Sequence, residues 1–446
     1  MKIKAGIVSL GCPKNLVDSE VMLGQLYSHG FEITNLQEEA EVLIVNTCGF
    51  IEAAKQESIN TILEMAEYKK QNCRLLIVTG CLSERYRDLI MQEIPEVDAV
   101  VGTGSYGEII NVIERAYCGE KPAVYGELED ISYLESNRLI STKNGYAYLK
   151  IAEGCDNCCT YCIIPSLRGR YRSRKTEDII KEARQLSQKG VKELILVAQD
   201  TSRYGLDIYK EKRLVHLIRE LSKIEGIDWI RLLYCYPEMI DDLIIDEMAS
   251  NEKLLKYIDI PIQHASDKIL KAMNRRGTSA DIDMVLSKLR QRVSGIVIRT
   301  SLIVGFPGEE EEDFEILSDF VRKKSFDRLG VFTYSKEDGT PAALFKSQIS
   351  KKIKEKRYKT IMTLQKEITR KKNESRLGKV YKTLVESVAE DGIFYIGRTY
   401  AEAPEIDPVV YFTSKEPLRN GEFVNVKILD ADDYDLTGEV YYESGK

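Results

Sequence analysis

The chain has 446 residues, 43% of them hydrophobic and 30% charged, which is the balance of a soluble globular protein with room for two or three domain cores. No stretch approaches the ~20 apolar residues of a membrane span, and the apolar run near the start is too short for a signal segment, so a cytoplasmic protein is expected. The formal charge of −7 is uneven: from Gly378 onward 7 Lys or Arg face 14 Asp or Glu, while the rest of the chain balances at 57 against 57.

The first hundred or so residues alternate strand and helix patterns. Short, β-branched apolar runs at 5–10, 42–45, 75–78 and 99–101 read as buried parallel strands, with helical stretches at 16–27, 53–66 and 85–91 between and after them. This is a doubly wound α/β pattern. Cys12, Cys48 and Cys81 each follow one of these strands with a glycine beside them (Gly11, Gly49, Gly80). Ends of neighbouring parallel strands share one sheet edge, so three cysteines about 35 residues apart can meet there. Taken alone, three buried structural cysteines is the simpler reading.

A linker is expected at 119–122 and 136–144. The next motif carries the most chemistry: Cys155, Cys159 and Cys162 form a Cys-x3-Cys-x2-Cys spacing on one tight loop. Three thiolates can hold three irons of a cubane cluster, and with no fourth cysteine following at close range one iron stays open for a ligand. A zinc knuckle is the competing reading. With this loop downstream, the Cys12, Cys48 and Cys81 set reads as a second three-thiolate cluster. Clustered thiols suit metal in a reducing compartment better than disulfides. Cys158 has the wrong spacing for a ligand, and Cys73, Cys118 and Cys235 read as core residues.

Six strands follow, at 147–151, 193–198, 229–234, 257–262, 296–304 and 330–334, with helices such as 176–188 and 311–323 in the gaps. Six βα units suit an incomplete barrel whose reactive groups lie at the C-terminal strand ends. Polar groups there include Gln199-Asp200, Tyr234, Tyr236, Gln263-His264, Arg299, Ser301 and the turn Gly305-Phe306-Pro307-Gly308-Glu309. They could bind a polar cofactor, with Arg299 as a carboxylate clamp. His264 and Arg299 read equally well as satisfied structural groups. Residues 351–376 form a basic helix with 11 Lys or Arg against 3 Glu, read as a solvated connection ahead of a nucleic-acid contact. Short β runs at 383–388, 393–397, 408–412 and 423–429 then suggest a small closed β-barrel.

The order of a three-cysteine α/β domain, the Cys155 loop and a terminal small barrel resembles the radical S-adenosylmethionine (SAM) methylthiotransferases over essentially the whole chain. The resemblance implies an N-terminal methylthiotransferase domain (1–120), a TIM-like (βα)6 radical SAM core (141–372) and a TRAM-like barrel (376–446). It implies two 4Fe-4S clusters, on Cys12, Cys48 and Cys81 and on Cys155, Cys159 and Cys162, the latter set catalytic, with SAM as methyl donor and radical source. Gln199, Gln263, His264, Arg299, Gly305 and Gly308 are the expected SAM-binding residues.

Ser9-Leu10-Gly11-Cys12-Pro13-Lys14-Asn15, Ala198-Gln199-Asp200-Thr201-Ser202, the 260–266 segment and Ala403-Pro404-Glu405-Ile406-Asp407 look like the RimO type. That type modifies the β-carbon of an aspartate in small-subunit ribosomal protein S-twelve. The alternative is the MiaB type, which acts on a tRNA adenosine and usually carries Gln-Met-Asn after its first cysteine. An acidic terminal barrel favours a basic protein over phosphate-rich RNA. A flavodoxin or ferredoxin type of electron donor is implied, the sulfur donor is left open, and no membrane partner is expected. A non-catalytic iron-sulfur electron carrier is the reading from another class.

Overall fold

The computed structural model describes residues 2–142 and 145–442, so Met1, the 143–144 end of the expected second linker and the last four residues of the expected barrel unit lie outside the described residues. The N-terminal sheet contains β1 (Lys4–Ser9), β2 (Glu32–Ile33), β3 (Val42–Thr47), β4 (Leu75–Gly80), β5 (Ala99–Val101) and β6 (Ala123–Val124) in the order β2-β1-β3-β4-β5-β6. All its pairings are parallel. The strand order reverses beside β1, between β1 and β3, and the crevice at such a reversal is where open α/β sheets take ligands. Residues 119–122 feed β6 rather than a linker, so this sheet runs past residue 120. The helix expected at 85–91 is two short ones, Cys81–Tyr86 and Leu89–Glu93, separated where Arg87 takes a φ of +46°. Cys81 therefore opens a helix directly.

The second sheet is also all parallel: β7 (Tyr146–Lys150), β10 (Glu193–Val197), β11 (Trp229–Leu232), β12 (Leu254–Asp259), β13 (Val297–Val304) and β14 (Arg328–Thr333), with β7 and β14 at its edges. It is the expected six-stranded incomplete barrel. A two-stranded ribbon, β8 (Ala152–Glu153) and β9 (Arg172–Ser173), flanks the Cys155 loop. An unclosed barrel leaves an edge that would invite pairing with another chain. Here the helix Pro13–Ser28 packs against β7, and Val17, Val21, Tyr148, Ile195 and Tyr257 belong to one apolar core shared by the two sheets.

The terminal barrel closes as β15 (Val380–Val388), β16 (Tyr395–Arg398), β17 (Val410–Thr413), β19 (Leu436–Val440) and β18 (Phe423–Ala431). The fifth strand, β19, has no apolar run of its own. Its Gly438 lets the backbone approach β18, since a Cβ there would lie 2.5 Å from the Lys427 carbonyl. The basic helix Lys351–Glu374 docks a stripe of Arg357, Ile361, Gln365, Thr369 and Asn373 and leaves its lysines largely exposed, a connecting helix.

The 399–407 segment meets the base of the incomplete barrel. Arg231 donates to Glu193 (2.6 Å) and to the Tyr400 carbonyl (2.8 Å), and Arg398 donates to the other Glu193 oxygen (2.8 Å). Arg328 pairs with Glu402 (3.0 Å), and Tyr257 donates to Asp407 (2.6 Å). Several acids of the tail are thus spent inside the molecule. Glu390, Asp391, Glu416, Asp430, Asp432 and Glu439 remain exposed.

Candidate functional site

Cys12, Cys48 and Cys81 stand at the C-terminal ends of β1, β3 and β4, adjacent strands beside the reversal of strand order. Side-chain staples hold the ends in register. Asn15 donates to the carbonyls of Leu10 (3.0 Å) and Thr47 (2.9 Å), and Ser58 exchanges hydrogen bonds with both backbone groups of Cys48 (3.0 Å each). Glycine is required by contact: a Cβ on Gly11 would sit 2.8 Å from the Cys48 Cβ and 3.1 Å from its Sγ, and one on Gly49 would sit 2.7 Å from the Cys81 carbonyl oxygen. The glycines let the three cysteine loops approach one another.

The electrostatics show the same proximity. Burial, then the neighbouring thiolates of Cys81 and Cys12, push the Cys48 thiol up to about 12. Burial also acts to raise Cys12, but Lys14 and Arg168 beside it outweigh that and lower it. Mutual repulsion of this kind is relieved when a cation binds the thiolates.

The Cys155 loop is anchored through its backbone. Cys155 donates to the Gly169 carbonyl (3.1 Å), Thr160 donates to Met273 (3.0 Å), and Ala342 donates back to Thr160 (2.9 Å). Cys158 adopts a φ of +48° and turns outward to solvent, leaving Cys155 and Cys159 buried and Cys162 half-buried. The Asn157 N–H lies 3.5 Å from the Cys155 sulfur, and the Asn157 side chain donates to Asp200 (3.0 Å), tying the loop to the end of β10. Burial pushes Cys155 up to about 11. Among the described residues no three His, Cys, Asp or Glu side chains converge as a single metal ion demands. Within each set the thiols are close enough to act on one another, Cys81 and Cys12 on Cys48, and Cys159 and Cys155 on Cys162.

Two features join the sets. Arg168 ends the short helix Ile164–Arg168 that follows Cys162, and its Nε donates to the Cys81 sulfur at 3.4 Å. The same guanidinium holds Asp18 (2.9 Å) and Glu153 (2.8 Å) and reaches Asn15, while Lys150 binds Glu153 (2.7 Å) and Asp18. This buried network locks the N-terminal domain to the ribbon and helix on either side of the Cys155 loop. The second feature is the turn after β11. Tyr234 lies under the Lys14 ammonium (3.4 Å to the ring centroid), and two residues on the Tyr236 hydroxyl lies 3.9 Å from the Cys159 sulfur. One three-residue turn therefore touches the surroundings of both sets, and Tyr234 holds a φ of +61° to do so.

The expected SAM-binding residues divide. Gln199 and Gln263 lie half-buried at the rim, Gln263 with a φ of +70°, and Gly305 and Gly308 turn the chain at the end of β13 with φ of +72° and +85°. His264 is fully buried, and burial lowers it to about 3, so it stays neutral. Its Nδ1 accepts from the Ser266 N–H (2.9 Å), and its Nε2 faces Glu309 at 3.8 Å. That Nε2 is buried without a hydrogen-bond partner among the described residues.

Arg299 lies in the N-terminal half of β13, about 16 Å of strand below Val304 at ~3.3 Å per residue. Asp259 (2.8 Å) and Asp407 of the terminal barrel (3.7 Å) hold its charge. This corrects the clamp reading in favour of the structural one. Cys73 and Cys235 are core residues as expected, whereas Cys118 is exposed.

Two residues at the rim, Arg275 and Glu238, escaped the sequence reading, and Thr201 entered it only within the 198–202 motif. Arg275 stacks on Tyr236 (4.2 Å) and donates to the Pro261 carbonyl (2.7 Å), but its Nη1 is buried without a partner among the described residues. Glu238 Oε2 and Thr201 Oγ1 are buried in the same condition. Unmet buried donors and acceptors beside the Cys155 loop are what a polar ligand would satisfy.

Comparison with known proteins agrees with this architecture. Residues 4–102 match a family model described as "Uncharacterized protein family UPF0004", residues 149–321 the radical SAM superfamily, and residues 377–440 the TRAM domain. Among solved structures, the radical SAM methyltransferase TsrM from Kitasatospora setae shares the fold with a TM-score of 0.60 at 14% identity, over 77% of each chain. The "Ribosomal protein uS12 methylthiotransferase RimO" of Clostridium tetani is 52% identical over the whole of both chains. The protein of that name from Acetivibrio thermocellus is 66% identical, again over the whole of both. At that identity and coverage, the chain belongs to the RimO family of radical SAM methylthiotransferases.

Proposed function

We propose that this chain transfers a methylthio group to the β-carbon of an aspartate in ribosomal protein uS12, acting in the cytoplasm with two 4Fe-4S clusters and SAM. Its relatives bear the uS12 methylthiotransferase name, and one observation carries the two-cluster reading: two three-thiol sets, with Cys158 of the second loop turned out to solvent, are joined by Arg168 and by the Tyr234–Tyr236 turn. The donor sets fit the clusters, since thiolates are the ligands iron-sulfur centres take and glycine clears the approach to the N-terminal set. The unmet Arg275, Glu238 and Thr201 atoms fit SAM, with Arg275 for its carboxylate, and Gln199, Gln263, Gly305 and Gly308 complete the proposed site.

When bound, the Cys155 cluster would supply the electron that splits SAM to methionine and a 5'-deoxyadenosyl radical, and the Cys12 cluster the site where sulfur is methylated. An aspartate β C–H has no usable acid or leaving group, so the side chains here bind, orient and exclude water rather than move protons. Arg168 and its network fix the separation of the two sets, and Tyr236 packs beside the Cys159 thiol.

This reading displaces the non-catalytic electron carrier, because the relatives are enzymes and the rim holds unmet polar groups. It is preferred to a tRNA adenosine because the terminal barrel keeps exposed acids where an RNA grip would need bases. The test is to incubate reconstituted protein, SAM and a reductant separately with uS12 and with tRNA, then seek the added methylthio group by mass spectrometry. Modification of tRNA alone overturns the substrate assignment.

A further inference from the structure

Lys14 is a buried cation in the interface between the two cysteine sets; the Cys12 thiol is the acidic group beside it, and among the described residues Lys14 pairs with no carboxylate. It occupies the second position of the helix Pro13–Ser28, two residues after Cys12, and is 4% exposed. Its ammonium rests over the Tyr234 ring at 3.4 Å, and it forms no ion pair among the described residues. Asp18, one helical turn on, is already held by Lys150 and Arg168. Arg168 is committed to Asp18 and Glu153 and Arg299 to Asp259, while Arg275, which also pairs with no carboxylate among the described residues, stacks on Tyr236 on the side of the Cys155 loop. A buried ammonium without a carboxylate is costly, and an aromatic face offsets only part of that cost.

We propose that Lys14 is the binding group for the side-chain carboxylate of the acceptor aspartate, held on the ammonium beside the Tyr234–Tyr236 turn. The assignment rests on the reading of a protein aspartate as substrate and names the residue that selects it. Position supports it. Lys14 is near Cys12, and its stacking partner Tyr234 is two residues from Tyr236, which touches the Cys159 sulfur. A group bound to Lys14 therefore lies beside Cys12 and against the turn that reaches the Cys159 sulfur. Chemistry supports it as well. The β-carbon of aspartate is bonded directly to the carboxylate carbon, so a cation that fixes the carboxylate fixes the reacting carbon to within one bond. Asparagine has the same shape without the charge, and a site built on an ammonium rejects it.

The competing role for Lys14 is to neutralise the Cys12 thiolate and whatever that thiolate binds. The two roles separate in a binding measurement. Reconstituted full-length protein is titrated anaerobically with uS12 and with uS12 in which the modified aspartate is asparagine, for the wild type, Lys14→Met and Lys14→Arg. Wild-type protein is expected to prefer the aspartate form by about 10- to 100-fold, the scale of one hydrogen bond to a charged group. Lys14→Met brings the ratio near unity, and Lys14→Arg, which keeps the charge, retains a preference.

Equal binding of the two forms by wild-type protein, or an unchanged ratio in Lys14→Met, overturns the assignment. A Lys14→Met protein that keeps the ratio while the reduction potential of its N-terminal cluster shifts assigns Lys14 to the cluster instead. Should wild-type protein modify tRNA and leave uS12 untouched, the substrate reading itself falls and takes this assignment with it.

Discussion

Arg168→Met probes the network that locks the two cysteine sets together. Asp18, Glu153, Lys150 and Arg168 are all buried, and their formal charges cancel. Methionine replaces part of the arginine stem but leaves two carboxylates facing one ammonium. Truncating one member of such a group costs about 3–5 kcal/mol, a large share of the roughly 5–15 kcal/mol that holds a domain folded. The assay is anaerobic urea denaturation of the metal-free chain, in which the transition reporting the N-terminal domain should move to lower urea by that amount.

Adding Asp18→Asn returns the group to neutrality, so the double variant should be more stable than the sum of the single losses predicts, by about 1–3 kcal/mol. The pH dependence carries a second signature. Burial alone would raise the Glu153 carboxyl, but Arg168 and Lys150 hold it well below the usual carboxylate range. Its contribution is full above the unfolded value of about 4.3 and is lost as pH falls toward the lower folded value, so acid destabilisation should be shallower in Arg168→Met. Strict additivity with Asp18→Asn, or an unchanged acid limb, would refute the network as drawn.

Other consequences can be checked singly. Gly11→Ala places a methyl 2.8 Å from the Cys48 Cβ at a φ of +90°, so iron analysis should show loss at the N-terminal set while the Cys155 set keeps its iron. Arg299→Met should lower the thermal midpoint by freeing Asp259 and Asp407. It should alter the SAM dissociation constant by less than about twofold, the scale of a substitution that touches no part of the ligand; a tenfold weaker SAM affinity would restore the clamp reading. Glu402 is held down to about 2 by Arg376 and Arg328 against the opposing effect of burial. Its stabilising effect should be complete above about pH 4.3 and fade as pH falls toward 2, and Glu402→Gln should flatten that limb of a stability-against-pH curve while costing about 3–5 kcal/mol at neutral pH.

Features written into a few adjacent residues are legible in the sequence. The Cys155, Cys159 and Cys162 spacing is local, and the β-branched runs of both parallel sheets mark themselves because strands buried on two faces read as continuous apolar segments. The meeting of Cys12, Cys48 and Cys81 is legible too, since parallel order puts successive strand ends on one edge. What escapes depends on distance in the chain. Arg168 is 87 residues from Cys81 and 150 from Asp18, and nothing near it announces either contact. Arg299 reads equally well as a clamp and as a structural group because alternation along a strand tells which face a side chain takes but not its depth in a barrel. The strand β19 is missed because Gly438 serves a close backbone approach that only its partner strand explains. The 403–407 motif, read as a family marker, turns Asp407 inward to Tyr257 and Arg299 at the barrel base.

Iron analysis of three proteins decides whether the two cysteine sets hold separate clusters. The reconstituted wild-type chain should contain roughly eight irons, and the triple alanine variants at Cys12, Cys48 and Cys81 and at Cys155, Cys159 and Cys162 roughly four each, with SAM cleavage lost only in the second. A wild-type content near four, unchanged when Cys12, Cys48 and Cys81 are replaced, would contradict separate clusters.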